Sequence, residues 1–390
     1  MSAAGKKVST KQVVYKKTSR DKSVAMYLGK RDFVDHLDHI EPVDGVIVVD
    51  TGYVKDRKIY CRLSCIFHYG KEDMDVIGHP FSRDLYVSTI QIYPPTEETA
   101  HPLTKLQERL LKKVGDKAYP FCFQLPDHLP CSVYLQPSPS EPDKCCSVDF
   151  EILSFCVQSL EDKIHKKSSS RLMIRKVQFA PDKSGPQPTA EISRHFLMSD
   201  DPLHLEASLD KETYYHGDPI NVNIKVKNNS NKLAKGVKVS VEQLTQVVLY
   251  SKDKYVQEVA VEETDEQVAP SASLCKTYTL LPLAANNIEK HGIALDGKLK
   301  QEETNLASST MIKPGVAKDV LGMLVSYSVK VKLTIPGVLG DLTSSDVIVE
   351  LPFMLMNPNP DTSKDEEDNE MAIEDCPDVQ DAADGEADDD

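Results

Sequence analysis

Period-two alternation runs through most of this chain. Cys61-Leu63-Cys65-Phe67, Val148-Phe150-Ile152, Leu203-Leu205-Ala207-Leu209, Ile220-Val222-Ile224-Val226 and Val325-Tyr327-Val329-Val331-Leu333-Ile335 each put alternate apolar side chains on one face. Strands with one face in a core and the other in water read this way. Pro42-Val43-Asp44-Gly45, Gly217-Asp218-Pro219 and Asn228-Asn229-Ser230 carry turn chemistry between the runs. Two stretches echo each other. Leu28-Gly-Lys-Arg-Asp, the Pro-Val-Asp-Gly turn and Val46–Val49 parallel Leu209-Asp-Lys-Glu-Thr, Asp218-Pro219 and Ile220–Val226. The pattern predicts an all-β chain of two antiparallel sandwiches of similar topology.

One segment follows the helical period instead. From about Pro102 to Val114, the residues Leu103, Leu106, Leu110 and Val114 share a face, and Pro102 suits a first turn. Lys105, Arg109, Lys112 and Lys113 make the rest of this helix basic. Residues 180–191 are rich in Pro, Gly and Ser and predict a linker. The expected organisation is a first sandwich over 1–180, a linker over 181–191, a second sandwich over 192–357 and an acidic tail over 358–390. A chain of 390 residues is too long for one core, which agrees with two domains.

The net charge of −15 is concentrated at one end. Residues 361–390 hold fifteen acids and one base, Lys364, so the first 360 residues carry 46 acids and 45 bases. Residues 1–31 hold nine Lys or Arg against one acid, Asp21. A neutral body with a basic start and an acidic tail lets the two ends attract each other, and lets another polyanion compete. The acidic balance argues against nucleic acid as a partner. The nine cysteines show no metal-binding spacing and read as reduced thiols of a cytosolic chain. Met1–Lys17 is polar and basic, unlike a signal peptide, and no apolar run approaches the ~20 residues that span a bilayer.

Enzyme signatures are missing from the sequence: it has no GxSxG elbow, HExxH pair, P-loop or GxGxxG turn. His36 and His39, flanked by Asp35, Asp38 and Glu41, are the best metal candidate. On a strand, residues three apart point to opposite faces, so no metal and no cofactor is expected.

Tyr27-Leu-Gly-Lys-Arg-Asp-Phe-Val-Asp-His, Ile174-Arg-Lys-Val-Gln-Phe-Ala-Pro, Tyr214-Tyr-His-Gly-Asp-Pro, Leu295-Asp-Gly-Lys-Leu-Lys and Thr304-Asn-Leu-Ala-Ser-Ser-Thr resemble arrestin motifs, in order, over about residues 8–357. Val247-Val-Leu-Tyr-Ser and Leu339-Gly-Asp-Leu-Thr-Ser-Ser resemble the visual branch of that family more than the β-arrestins. The short acidic tail with Ile373-Glu-Asp is most similar to the cone type, and it lacks a clathrin box of the Leu-Ile-Glu-Leu-Asp kind. The resemblance implies two immunoglobulin-like sandwiches with one short helix on the first. It implies a non-enzymatic, mainly monomeric cytoplasmic protein of photoreceptor outer and inner segments. The partner it implies is an activated, phosphorylated opsin-type G-protein-coupled receptor.

By the same resemblance, Asp32, Arg175, Asp296 and Glu303 form a polar core that keeps the domains shut. Lys16, Lys17, Arg31, Lys113, Lys166, Arg171 and Lys300 line a phosphate-binding groove. A three-element contact joins Val13, Val14 and Tyr15 to Leu106, Leu110 and Val114 and to the tail residues Met371, Ile373 and Cys376. The tail residues are smaller than the family's aromatics, and Asp378 stands where the family has an arginine, so a weak latch is expected. Asp73, Met74, Asp75, Val76, Ile77 and Gly78 form the tip of a finger loop that enters the receptor. Gln136–Lys144 and Leu249–Lys254 add contacts, while Leu197, Met198, Val338 and Leu339 touch the membrane edge weakly. Two other readings stand beside this one: a cargo adaptor on the same fold without phosphate sensing, and a hydrolase with a triad assembled in space.

Overall fold

The computed structural model describes residues 12–70, 81–96, 101–137, 146–179, 185–297, 299, 304–336, 346–358 and 371–376. The alternating runs form strands, numbered here along the chain. One sheet of the first sandwich orders β21 (Met371–Asp375), β1 (Gln12–Thr18), β2 (Val24–Leu28), β4 (Val43–Val49) and β7 (Ala118–Phe123). The facing sheet orders β18 (Ala294–Asp296), β8 (Val133–Leu135), β9 (Cys146–Val157), β10 (Ser169–Gln178) and β3 (Asp32–Asp35). In the same sheet β5 (Lys58–Tyr69) pairs with β9 and carries β6 (Phe81–Tyr93).

In the second sandwich one sheet is β11 (Thr189–Arg194), β12 (Leu203–Leu209), β14 (Ile220–Asn228) and β17 (Ser273–Leu280). The other is β13 (Thr213–Tyr215), β20 (Val347–Met356), β19 (Met323–Leu333), β15 (Ala234–Val247) and β16 (Lys254–Val268). Their alternate residues Val222, Ile224, Val226, Val329, Val331 and Leu333 are buried, as the alternation requires.

Four expectations need correction. Pro42-Val43-Asp44-Gly45 is not a turn, because Val43 already opens β4 and pairs with Phe123. The linker is shorter than residues 181–191, because Thr189 begins β11 and pairs with Ser208. Backbone pairing outweighs the Pro- and Gly-rich composition there. The chain order also fails to separate the sandwiches: Ala294–Asp296, from within the second, pairs antiparallel with β8 of the first. Lastly, His36 and His39 lie on the turn after β3 rather than on a strand, and their rings stack with centroids 4.5 Å apart.

A short helix, α1 (Thr51–Val54), precedes β5, and the basic helix is α2 (Lys105–Val114), starting three residues later than Pro102 suggests. Thr104 is its N-cap: its hydroxyl accepts from Gln107 N–H, and the Gln107 side chain accepts from Thr104 N–H. That reciprocal cap fixes the start, so Leu103 falls outside the helix and is exposed. Gln107 also donates to Gly45 O at 3.2 Å and Phe121 O at 2.8 Å, pinning the helix across β4 and β7 with no exposure of its own. Gln107→Ala leaves buried carbonyl oxygens unpaired and is expected to cost about 1–3 kcal/mol, read as a lower denaturant midpoint at unchanged slope.

Candidate functional site: an interdomain charge cluster and a tail latch

The parallel pairing of β10 with β3 sets Arg175 directly opposite Asp32. The Arg175 guanidinium forks onto that carboxylate, Nε to Oδ1 at 2.6 Å and Nη2 to Oδ2 at 2.7 Å. Its Nη1 donates to Gly297 O at 3.2 Å, just past β18. Arg175 is 9% exposed, so the charge is paired in a region that would otherwise penalise it strongly. Gly297 is needed there: a Cβ would stand 2.5 Å from Ser132 Cβ and 3.5 Å from Arg175 Cγ.

Asp296 joins this cluster through neutral hydrogen-bond donors. Its oxygens accept from Ser308 N–H at 2.9 Å, Ser308 Oγ at 3.4 Å and Asn357 Nδ2 at 3.4 Å. The guanidinium fork goes to Asp32, and the hydrogen bonds to Asp296 come from neutral groups. Burial pushes its carboxyl up to about 6, although those donors and the field of Arg175 pull the other way. His216 Nε2 lies 3.8 Å from Asp296 Oδ2, but burial lowers that imidazole to about 4 and keeps it neutral at pH 7. Asn357 also donates to Gln178 O and Ser308 Oγ, tying the end of the second sandwich to the first. Glu303 lies outside the described residues.

One charge pair went unread in the sequence. Lys176 Nζ meets Asp35 Oδ2 at 2.7 Å, both side chains almost completely buried, and also donates to Leu129 O at 2.9 Å. Burial alone would lower this ammonium, but the neighbouring Cys131 and Asp35 raise it above its ordinary value. Only the alternation of β10, which turns Lys176 inward where Arg175 turns to the boundary, could have found it.

The tail supplies the second part of the site. Parallel pairing of β21 with β1 aligns Val14 with Ile373 and Lys16 with Asp375. Three groove lysines are occupied by this strand: Lys16 Nζ at 3.3 Å from Asp375 Oδ1, Lys17 Nζ on Cys376 O at 3.2 Å, and Lys113 Nζ on Met371 O at 2.7 Å. Asp375 is 77% exposed, so its ion pair contributes no more than about 1 kcal/mol. Burial raises the Cys376 thiol although Arg31 and Lys17 stand nearby.

The three-element contact is smaller than expected. Val14, Leu110, Leu106, Val114 and Met371 cluster together with Tyr27 and Val46. Ile373, on the same face as Met371 and Val14, is still 39% exposed at the sheet edge, whereas Tyr15 turns to the other face, under the guanidinium of Arg31 at 5.7 Å. Val13 shares the Tyr15 face and is half-buried outside that cluster. Strand alternation forces that split.

The remaining groove positions divide. Arg31 donates to Met173 O at 3.0 Å, Arg171 is held by Glu151 at 2.5 Å, and Lys166 is exposed on a short 3-10 turn. Leu197 and Met198 are 86% and 89% exposed. Lys300, the finger-loop residues 73–78, Val338 and Leu339 lie outside the described residues.

Comparison with known proteins fits this geometry. The description "Arrestin (or S-antigen), N-terminal domain" matches residues 24–180, and "Arrestin (or S-antigen), C-terminal domain" matches residues 199–360. The chain belongs to the arrestin family. It is 57% identical over 373 residues to S-arrestin of Xenopus laevis, covering 95% of this chain and 94% of that protein. It is 58% identical over 362 residues to S-arrestin of Rattus norvegicus, covering 92% and 90%. Beta-arrestin-2 of Bos taurus is 57% identical over 356 residues, covering 91% and 83%. Visual and β-type arrestins therefore stand equally near. Among the described residues no helix is long and apolar enough to cross a membrane.

Two outcomes follow from the charges. Asp35→Asn strips a buried ammonium of its partner and is expected to cost about 3–5 kcal/mol in urea unfolding, whereas Asp35→Leu with Lys176→Met costs far less. Asp296, at about 6 when folded against 3.8 ordinarily, holds a proton between those values that the unfolded chain has released. Stability therefore falls as pH rises through that window, by up to about 3 kcal/mol, and Asp296→Asn flattens that part of the urea-midpoint profile.

Proposed function

We propose that this arrestin binds an activated, phosphorylated G-protein-coupled receptor of the visual, opsin type and blocks G-protein coupling sterically. The single observation that carries the reading is the seating of β21 on Lys16, Lys17 and Lys113 beside the Arg175–Asp32 fork. A phosphate carries roughly −1.5 to −2 charges with three acceptor oxygens, more than one aspartate and two carbonyls offer these lysines. A receptor tail bearing several phosphates displaces β21, and a phosphate reaching Arg175 competes with Asp32 for the guanidinium fork. The half-exposed Asp32 side chain, 43%, leaves that fork approachable. The finger-loop residues 73–78 then enter the opened receptor, so the switch demands two inputs at once.

The visual assignment is supported by Val247-Val-Leu-Tyr-Ser, Leu339-Gly-Asp-Leu-Thr-Ser-Ser and a tail without a clathrin box, with the cone type nearest. Glu303 would complete the charge cluster, and Leu197, Met198, Val338 and Leu339 would graze the bilayer. The chain acts as an adaptor in the cytoplasm, mainly as a monomer, without catalysis, cofactor or nucleic acid. The deciding experiment measures binding to four receptor forms, inactive or active, each with and without phosphate. Wild type is expected to bind the active phosphorylated form most strongly, whereas Arg175→Glu binds the active form equally with and without phosphate. Deleting residues 361–390 is expected to raise binding to the unphosphorylated active form only a few-fold, because the tail's ion pair to Lys16 is exposed and its apolar residues are small. Equal binding of wild type to all four forms would refute the phosphate switch.

A further inference from the structure

Cys131 stands just before β8, and Lys176 lies on β10, next to Arg175 in the chain. The two segments are laced together: Ser132 N–H donates to Lys176 O at 2.9 Å, and Lys176 N–H donates to Ser132 Oγ at 3.0 Å. That lacing holds the two side chains against each other. Lys176 Nζ donates to Cys131 Sγ at 3.8 Å, and the Cys131 thiol donates to Gln178 Oε1 at 3.8 Å. The sulfur therefore turns its lone pairs to the nitrogen and its proton away. On the far side of that nitrogen stands Asp35 Oδ2, at 2.7 Å.

A cavity of about 40 Å³ lies beside this group, between the two sandwiches. Cys131, Lys176 and Gln178 line it from the first, and Ser309, Thr310 and Met311 from the second. A single water needs only ~15 Å³, so a molecule of hydrogen peroxide fits. Cys131 is half-buried, whereas Lys176 and Asp35 are almost completely buried, so an oxidant in the cavity meets the sulfur first. Burial raises this thiol although Lys176 pulls it down, so its thiolate is scarce and its oxidation slow. Once the sulfur is oxidised, however, the nearest nucleophile is already in place.

We propose that Cys131 and Lys176 are a modification site for hydrogen peroxide, which joins them in a sulfenamide cross-link. Peroxide first oxidises the thiol to a sulfenic acid: the O–O bond breaks, sulfur gives up two electrons, and one water leaves. The Lys176 ammonium then passes a proton to Asp35, and the freed amine attacks the sulfur. The N–S bond forms as the S–O bond breaks, and the hydroxide departs as water with a second amine proton. Each link consumes one peroxide and releases two waters, with no net change of charge. Asp35 ends neutral, so the lost ammonium leaves no bare carboxylate in the interior. The link ties β10, one residue from the guanidinium fork, to a segment facing the second sandwich, and an added thiol reverses it. It stands independently of the receptor reading.

The test treats the full chain with hydrogen peroxide, alkylates the remaining thiols, digests it with trypsin and reads the peptides by mass spectrometry. Wild type is expected to yield a species joining the Cys131 and Lys176 peptides, lighter than their sum by two hydrogen atoms and lost on adding dithiothreitol. Cys131→Ser abolishes it. Lys176→Met with Asp35→Leu, which keeps the interior paired, abolishes it too and leaves Cys131 to go on to the sulfinic acid. Unfolding the chain in urea before oxidation is expected to cut the yield at least tenfold, because the contact is made by the fold. Wild-type Cys131 found unreacted or as sulfinic acid, with no link to Lys176, would overturn the proposal, and so would an equal yield in urea. Should a variant fail to fold, the wild-type peptides with and without urea still decide. No receptor enters this experiment, so the receptor reading can fail without touching it.

Discussion

The fork of Arg175 on Asp32 is the interaction from which the rest of the arrangement takes its sense. A guanidinium at this depth has to be paired, and the β10–β3 register leaves Asp32 as its bidentate partner among the described residues. Its third contact, to Gly297 O, reaches a segment that has crossed over from the second sandwich to add β18 to the first. The pair therefore holds a boundary as well as a charge. Remove its partner and the cost falls on the contact between the two halves.

The tail seat and this fork lie on one connected path. Lys17, which donates to Cys376 O, has its own carbonyl held by Ser170 Oγ at 2.9 Å, on β10. Tyr15 of β1 sits under Arg31, and Arg31 donates to Met173 O, two residues from Arg175. Lifting β21 off β1 thus disturbs groups packed against the strand that carries the fork. Neither restraint has to transmit force over a distance, because β1, the residues leading into β3, and β10 are neighbours. Disturbing either restraint therefore acts on the same boundary.

Much of the fold was legible because period-two alternation is a strong signal where one face is buried, as in Ile220–Val226 and Val325–Leu333. Boundaries were less legible for identifiable reasons. Pro42–Gly45 has turn chemistry but lies beside β7, and Thr189 sits in a loop-like composition but has β12 to pair with. Long-range pairing decided both, and no local window contains it. The site divided along the same line. Arg175 with Asp32 was readable through family resemblance, and the approach of the acidic tail to the basic start through the distribution of charge. The turn of Tyr15 away from the helix, the neutral partners of Asp296 and the Lys176–Asp35 pair depend on which way a side chain faces in a register that the sequence does not print.

Adjacent residues on β10 carry two charge pairs with opposite physical characters. Lys176–Asp35 is sealed, with side-chain exposures of 2% and 3%, and no outside anion can compete for it without unfolding the region. Arg175–Asp32 has one partner at 43% exposure. A sealed pair contributes little net stability over an apolar substitute, since desolvation offsets most of its attraction. It lies within the same β10–β3 pairing that sets the preceding residue, Arg175, opposite Asp32. The open pair would also be replaceable by apolar side chains if holding the domains together were its only task. An apolar contact, however, gives an incoming phosphate nothing to exchange with, whereas a guanidinium can trade a carboxylate for a stronger anion at small net cost. The combination of a buried arginine with a reachable aspartate is therefore better explained by displaceability than by strength.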